Sequence, residues 1–146
     1  MKNIGRQEGI DFSFKNKIGN TRDAHRLIQL GKTKGNEVEN RVVLELFRSY
    51  FEGDADITSH ESLTKVAIAA SLDVSEVEDW LSTGKGGDVV DAEAQEAADK
   101  GAKGVPSFTI QDEILDGADD PQAFLEVFIK AREKEQGKVI SALRDS

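Results

Sequence analysis

The stretch Gly104-Val105-Pro106-Ser107-Phe108-Thr109-Ile110-Gln111-Asp112-Glu113-Ile114-Leu115-Asp116-Gly117 decides how the rest of the chain is read. Phe108 and Ile110 alternate with polar residues at the strand period of two, Gln111-Asp112-Glu113 supplies a turn, and Ile114-Leu115-Asp116-Gly117 supplies a second short strand. The segment 105–117 is therefore a hairpin, opened by one of only two prolines in the chain. The other, Pro121, sits where a first helical turn tolerates a residue without an N–H. It starts a last helix over 121–135 with Phe124, Leu125, Phe128, Ile129 and Ala131 on the inner face. Gly137 to Ser146 reads as a tail, with a short amphipathic turn through Val139, Ile140 and Leu143.

Upstream of the hairpin the apolar period changes from two to between three and four. Asn36 caps a helix carrying Val38, Val42, Val43, Leu46, Phe47, Tyr50 and Phe51, with Gly53 after its end. Ser59 with Ser62 begins another, whose inner face is Leu63, Val66, Ala67 and Ala70, and Ser75-Glu76 begins a short one reaching Trp80-Leu81. Val89 to Lys103 is a polar, alanine-rich helix. Before them, Asn20 or Thr21 caps a helix carrying Ala24, Leu27, Ile28 and Leu30, closed by Gly31 to Gly35. Nearest the N-terminus, Ile10, Phe12 and Phe14 alternate as in a half-buried strand, preceded by a remnant of helix. The order is one strand, several helices, a two-stranded hairpin and a last helix, with no internal repeat. Gly84-Lys85-Gly86-Gly87 lacks the ordered glycines, lysine and serine or threonine of a phosphate loop, and reads as a turn.

The 146 residues are 38% hydrophobic, which suits one globular domain over 1–146. No apolar run approaches the roughly 20 residues of a membrane span, and the start lacks a secretory apolar core, so the expectation is a soluble, cytoplasmic protein with no membrane partner. Twenty-eight acidic against 19 basic residues give a net charge of -9, which opposes contact with nucleic acid phosphates. The chain has no cysteine. That excludes, for this chain, a disulfide framework, a thiolate metal site, a cysteine nucleophile and a dithiol redox couple.

Gly104-Val105-Pro106-Ser107-Phe108 resembles the loop of the thioredoxin superfamily in which a proline is held cis beside the active site. Gly19-Asn20-Thr21-Arg22-Asp23-Ala24-His25-Arg26-Leu27 resembles the entry to the helical insertion of DsbA-like oxidoreductases of the FrnE type. Leu115-Asp116-Gly117-Ala118-Asp119-Asp120-Pro121-Gln122-Ala123-Phe124 is similar to that family's passage from the last strand to the last helix. The likeness runs over about residues 3 to 135 and implies an α/β thioredoxin-like sheet of DsbA type, with a helical insertion at about 21–103. It also implies a departure. Family members begin with a strand and a helix bearing cysteine-x-x-cysteine, and neither is present here.

In the family the missing strand is central, between those matching Ile10 to Phe14 and Ser107 to Ile110. A simple gap would leave backbone amides unmatched, at about 1 to 3 kcal/mol for each buried group. Three resolutions are open: the flanking strands pair directly, a second copy fills or covers the gap, or the sequence is part of a longer protein. The expectation is a homodimer in which elements near the N-terminus and the insertion helices are shared, because an uncovered edge is a template for pairing.

Thiol-disulfide exchange is closed to a chain without sulfur nucleophiles. Relatives such as kappa-class glutathione transferases and 2-hydroxychromene-2-carboxylate isomerases suggest that the same pocket works without a dithiol. The resemblance therefore implies a small-molecule ligand and a thiol-free isomerisation, cyclisation or proton transfer in small-molecule biosynthesis, with no cofactor. The alternatives are a non-enzymatic dimeric binding module and a truncated thiol-disulfide oxidoreductase.

Candidate residues lie where the proline loop meets the insertion. Val105 before a cis Pro106, with Ser107, presents backbone groups to a ligand, or Pro106 simply shapes the turn. Asn20 and Thr21 either cap their helix or aim its N-terminus at an anionic oxygen. His25 is the acid/base candidate, with Asp23 or Arg26 to orient it or hold an anion, against the plain alternative of a solvated histidine. Asp119 resembles a position that meets a glutathione-like amino group in some relatives, or is a cap. His60 reads as surface, and two histidines among scattered carboxylates form no metal signature. Trp80, Tyr50, Phe47 and Phe51 line an apolar pocket or belong to the core.

Overall fold

The computed structural model describes residues 2–101, 104–118 and 120–144. Two compact units divide the chain, Met1–Glu93 and Ala94–Ser146. In order the elements are α1 (Lys2–Gln7), α2 (Arg22–Thr33), α3 (Asn36–Phe51), α4 (His60–Ala69), α5 (Val74–Ser82), α6 (Gly87–Asp99), β1 (Ser107–Ile110), β2 (Glu113–Asp116) and α7 (Pro121–Arg144).

The first unit is built on α2 to α5. Their buried positions recur every three or four residues: Ala24, Leu27 and Leu30 on α2, Val42 and Leu46 on α3, Leu63, Val66 and Ala67 on α4, and Val77 and Leu81 on α5. Leu27, Leu30, Val42, Leu63 and Val77 are fully enclosed, each stabilising the fold by about 1.5–3 kcal/mol through burial. Gly31 lets α2 and α3 cross closely, since a Cβ there would stand 3.1 Å from Val42 Cγ2 and 3.2 Å from the Glu39 backbone Cα. Ser59 caps α4 as expected, its Oγ accepting from Ser62 N–H. The cap of α5 is Asp73, two residues before the expected start, because its carboxylate reaches the Glu76 N–H at 3.0 Å. At α3 the residue in the cap position is Gly35 (φ 108°), and Asn36 is already helical.

The strand expected at Ile10 to Phe14 does not form. Among the described residues the β1–β2 pair is the one sheet, so this segment has no ladder to join. It lies instead against the end of α3. Ser13 N–H donates to Phe51 O at 2.7 Å, Asn16 Nδ2 to Tyr50 O at 3.0 Å, and the Phe12 ring meets Phe51 edge-on.

In the second unit β1 and β2 are antiparallel, with Ser107 opposite Asp116 and Ile110 opposite Glu113. The Val105–Pro106 peptide is cis, and Gln111 turns the hairpin at φ 54°. Asp120 caps α7 by accepting from Ala123 N–H at 3.0 Å. This helix continues to Arg144 rather than ending near Glu135, because its run of strong helix formers outweighs the roughly 1 kcal/mol that Gly137 costs. The side chains of Val139, Ile140 and Leu143 lie outside the described residues. The expected inner face is only partly inside. Val127 and Ala131 are buried and Phe124 packs edge-on against Phe108, whereas Leu125, Phe128 and Ile129 stay about half exposed. A two-stranded hairpin is too narrow to cover the whole apolar stripe. The alanine-rich helix likewise runs from Gly87 to Asp99, with Ala102 and Lys103 outside the described residues.

Candidate functional site

The N-terminus of α2 places the candidate polar groups. Asn20 Oδ1 accepts from Arg22 N–H at 2.9 Å, while Thr21, in the cap position, makes no side-chain capping bond. One turn in, α2 and α3 enclose a cleft of about 320 Å³. Ala24, Ile28, Val43, Leu46 and Ile57 give it aliphatic surface, and Phe47, Tyr50 and Phe51 give it rings. The rings hold one another, with Tyr50 edge-on to Phe51 at 5.0 Å between centroids. Apart from the Tyr50 hydroxyl, its polar groups are Thr21 and His25. Among the described residues no Lys, Arg, Asp or Glu lines it, so the cleft suits a ligand without net charge. Tyr50, Phe47 and Phe51 thus line this cleft, whereas Trp80 is not in its lining and packs against the core.

His25 has a defined tautomer. Its Nδ1 stands 2.8 Å from the Thr21 carbonyl oxygen. A carbonyl only accepts, so the hydrogen is on Nδ1, and in the neutral ring the lone pair is on Nε2. Among the described residues nothing pairs with that nitrogen.

Asp23 does not orient His25, because residues two apart lie on different sides of a helix. Its carboxylate receives Arg26 Nη1 at 2.7 Å and His60 Nε2 at 2.8 Å. Partial burial pushes this carboxyl up, but the hydrogen bonds from Arg26 and His60 and the attraction to both outweigh it and hold it below its ordinary value. His60, which the sequence places on the surface, is half exposed yet is the partner of a fixed carboxylate. The two are 37 positions apart on different helices, and no local signal joins them.

Arg26 is 3% exposed and meets only protein acceptors. Its Nε donates to Lys85 O, Nη1 to Asp23 and Leu81 O, and Nη2 to Trp80 O and Leu81 O. These five bonds match the five N–H groups of a guanidinium, leaving none for a ligand anion. Trp80 Nε1 returns a bond to Arg26 O at 2.9 Å, tying α2 to the end of α5.

Val105, Pro106 and Ser107 belong to the unit Ala94–Ser146. Val105 is 99% exposed, and Ser107 Oγ lies 3.3 Å from Asp116 Oδ1 across the hairpin. Asp119 lies outside the described residues. Among the described residues no three His, Asp or Glu side chains gather as a metal ion requires, and no helix is long and apolar enough to cross a membrane.

A family model described as a DSBA-like thioredoxin domain matches residues 1–128. Among solved structures the chain is similar to a probable DsbA oxidoreductase from Streptomyces coelicolor, with 28% sequence identity and a TM-score of 0.80. The match covers 90% of this chain and 57% of that one, so this chain spans little more than half the relative's length. No curated protein matches the chain.

Proposed function

This chain belongs to the DSBA-like thioredoxin domain family, and from that premise we propose that it is a thiol-free member acting on a small organic molecule held in the α2–α3 cleft. The observation that carries the proposal is the single imidazole at a mainly apolar cleft lined by no charged side chain among the described residues, fixed in one tautomer by its own helix. Neutral His25 accepts a proton at Nε2 from an acidic C–H or O–H of the ligand. The Thr21 carbonyl, already bonded to Nδ1–H, stabilises the imidazolium that forms. Return of the proton to a different atom of the ligand moves a double bond and isomerises the molecule. The proton is restored and no electron acceptor is needed. Positioned groups of this kind contribute about 10²–10⁴-fold to a rate. The setting we assign to it is small-molecule biosynthesis.

A second reading, binding without turnover, is favoured because among the described residues no carboxylate or lysine lines the cleft to act as partner acid. One experiment separates the two. N-phenyl-1-naphthylamine, a neutral fluorescent probe, should bind saturably and be displaced by 2-tetralone, and Phe47→Ala should weaken both. In deuterated buffer, hydrogen exchange next to the 2-tetralone carbonyl should exceed the buffer rate and fall about 10²-fold or more in His25→Phe. Saturable binding without exchange leaves the binding module. Without saturable binding, the cleft is no ligand site.

A further inference from the structure

A second groove, of about 500 Å³, runs along α4 and α5, and its lining includes His60, Lys65, Glu78 and Leu81. We propose that it binds a small organic amine whose N–H groups donate to the Glu78 carboxylate and to Nδ1 of neutral His60. The argument is an inventory of unused hydrogen-bonding capacity. Arg26 fixes Asp23, and Asp23 accepts from His60 Nε2 at 2.8 Å. In the neutral ring that places the hydrogen on Nε2 and leaves the lone pair on Nδ1. Thr64 Oγ1 donates to His60 O at 2.9 Å and Ser82 Oγ to Asp79 O at 3.2 Å, so both groove hydroxyls have spent their hydrogens and offer only acceptor capacity. The Lys65 ammonium is paired with Glu61 at 2.6 Å.

Glu78 is different, since no cation among the described residues pairs with it. What the groove still offers is therefore mostly acceptors, beside the two remaining N–H groups of the charge-paired Lys65, and one uncompensated negative charge. That combination disfavours phosphates and carboxylates and selects a donor-rich cation. Leu81 supplies apolar surface for the methylene stem of an aliphatic amine.

The test is a two-dimensional amide NMR titration of the full chain with 1,4-diaminobutane at constant ionic strength, with 1,4-butanediol as the uncharged control. The expected result is saturable shifts confined to the groove, together with a shift of the His60 ring nitrogens and none of His25. Glu78→Gln, an exposed substitution that spares the core, should weaken binding by about fivefold or more. Equal shifts with the diol, shifts spread over the acidic surface, or unchanged affinity in Glu78→Gln would each overturn the proposal. The outcome is independent of what the α2–α3 cleft binds.

Discussion

Replacing Arg26 by Met distinguishes a structural guanidinium from a ligand-binding one. Methionine keeps most of the apolar stem, so the loss is confined to the five hydrogen bonds. Three backbone carbonyls, of Trp80, Leu81 and Lys85, then lose their donor at the end of α5 and in the turn after it. An orphaned buried acceptor costs about 1–3 kcal/mol, and water relieves the more exposed Lys85 site. Asp23 also loses its closest cation. Together these give an expected destabilisation of about 3–5 kcal/mol, about a fifth or more of the ~5–15 kcal/mol that holds a typical domain folded. Urea unfolding followed by circular dichroism and by fluorescence is the assay. Trp80 is the only tryptophan and bonds to the Arg26 carbonyl, so it reports on this junction. His25→Ala, an exposed control, should change stability by less than about 0.5 kcal/mol. A loss below about 1 kcal/mol for Arg26→Met would show that the guanidinium is dispensable to the fold and would refute the assignment.

The same junction predicts a pH dependence. The Asp23 carboxyl is held below its ordinary value in the fold, whereas in the unfolded chain it titrates near about 3.9. Its stabilising contribution is therefore fully present above that unfolded value and is lost as pH falls through the lower folded one. Asp23→Asn should be less stable than the wild type at neutral pH, with the difference shrinking on acidification. A gap that widened in acid would reverse the sign and contradict the pairing.

Three further outcomes are expected. This chain should show no turnover in an insulin-reduction assay, since it has no thiol to form the mixed disulfide, and measurable turnover would contradict a thiol-free role. Gly31→Ala should lower Tm: crowding against Val42 and the Glu39 backbone costs about 1–3 kcal/mol, more than the roughly 1 kcal/mol gained in helix propensity, and a raised Tm would mean the helices separate freely. Exposed Phe108, Leu125, Phe128 and Ile129 favour self-association, so light scattering at micromolar concentration should give the mass of two chains, reduced to one by Phe128→Glu. A single-chain mass for the wild type would rule the dimer out.

What was legible in the sequence follows how local the physics is. The inner face expected for α4, Leu63, Val66, Ala67 and Ala70, is the buried one, because a helix sets its own period and one apolar stripe picks its face. The hairpin and its proline follow from neighbours in the chain. A strand is different, since its backbone bonds belong to a partner elsewhere, and alternation at Ile10, Phe12 and Phe14 marks a suitable surface without supplying that partner. The stripe on α7 fails for a related reason: periodicity says which residues share a face, and nothing in it says how much of that face is covered.

The two histidines divide along the same line. The bond that fixes the His25 tautomer runs to the carbonyl four residues back, so a helix beginning at Thr21 already implies it. The bond that fixes His60 spans 37 positions and depends on Asp23 being held by an arginine whose other acceptors lie on and beyond α5. Composition alone excludes a sulfur nucleophile in this chain, but a hydrogen bond between helices, such as that of His60 to Asp23, is visible only once the helices are placed. For that reason Asp23, expected beside His25, is found bonded to Arg26 and His60 instead.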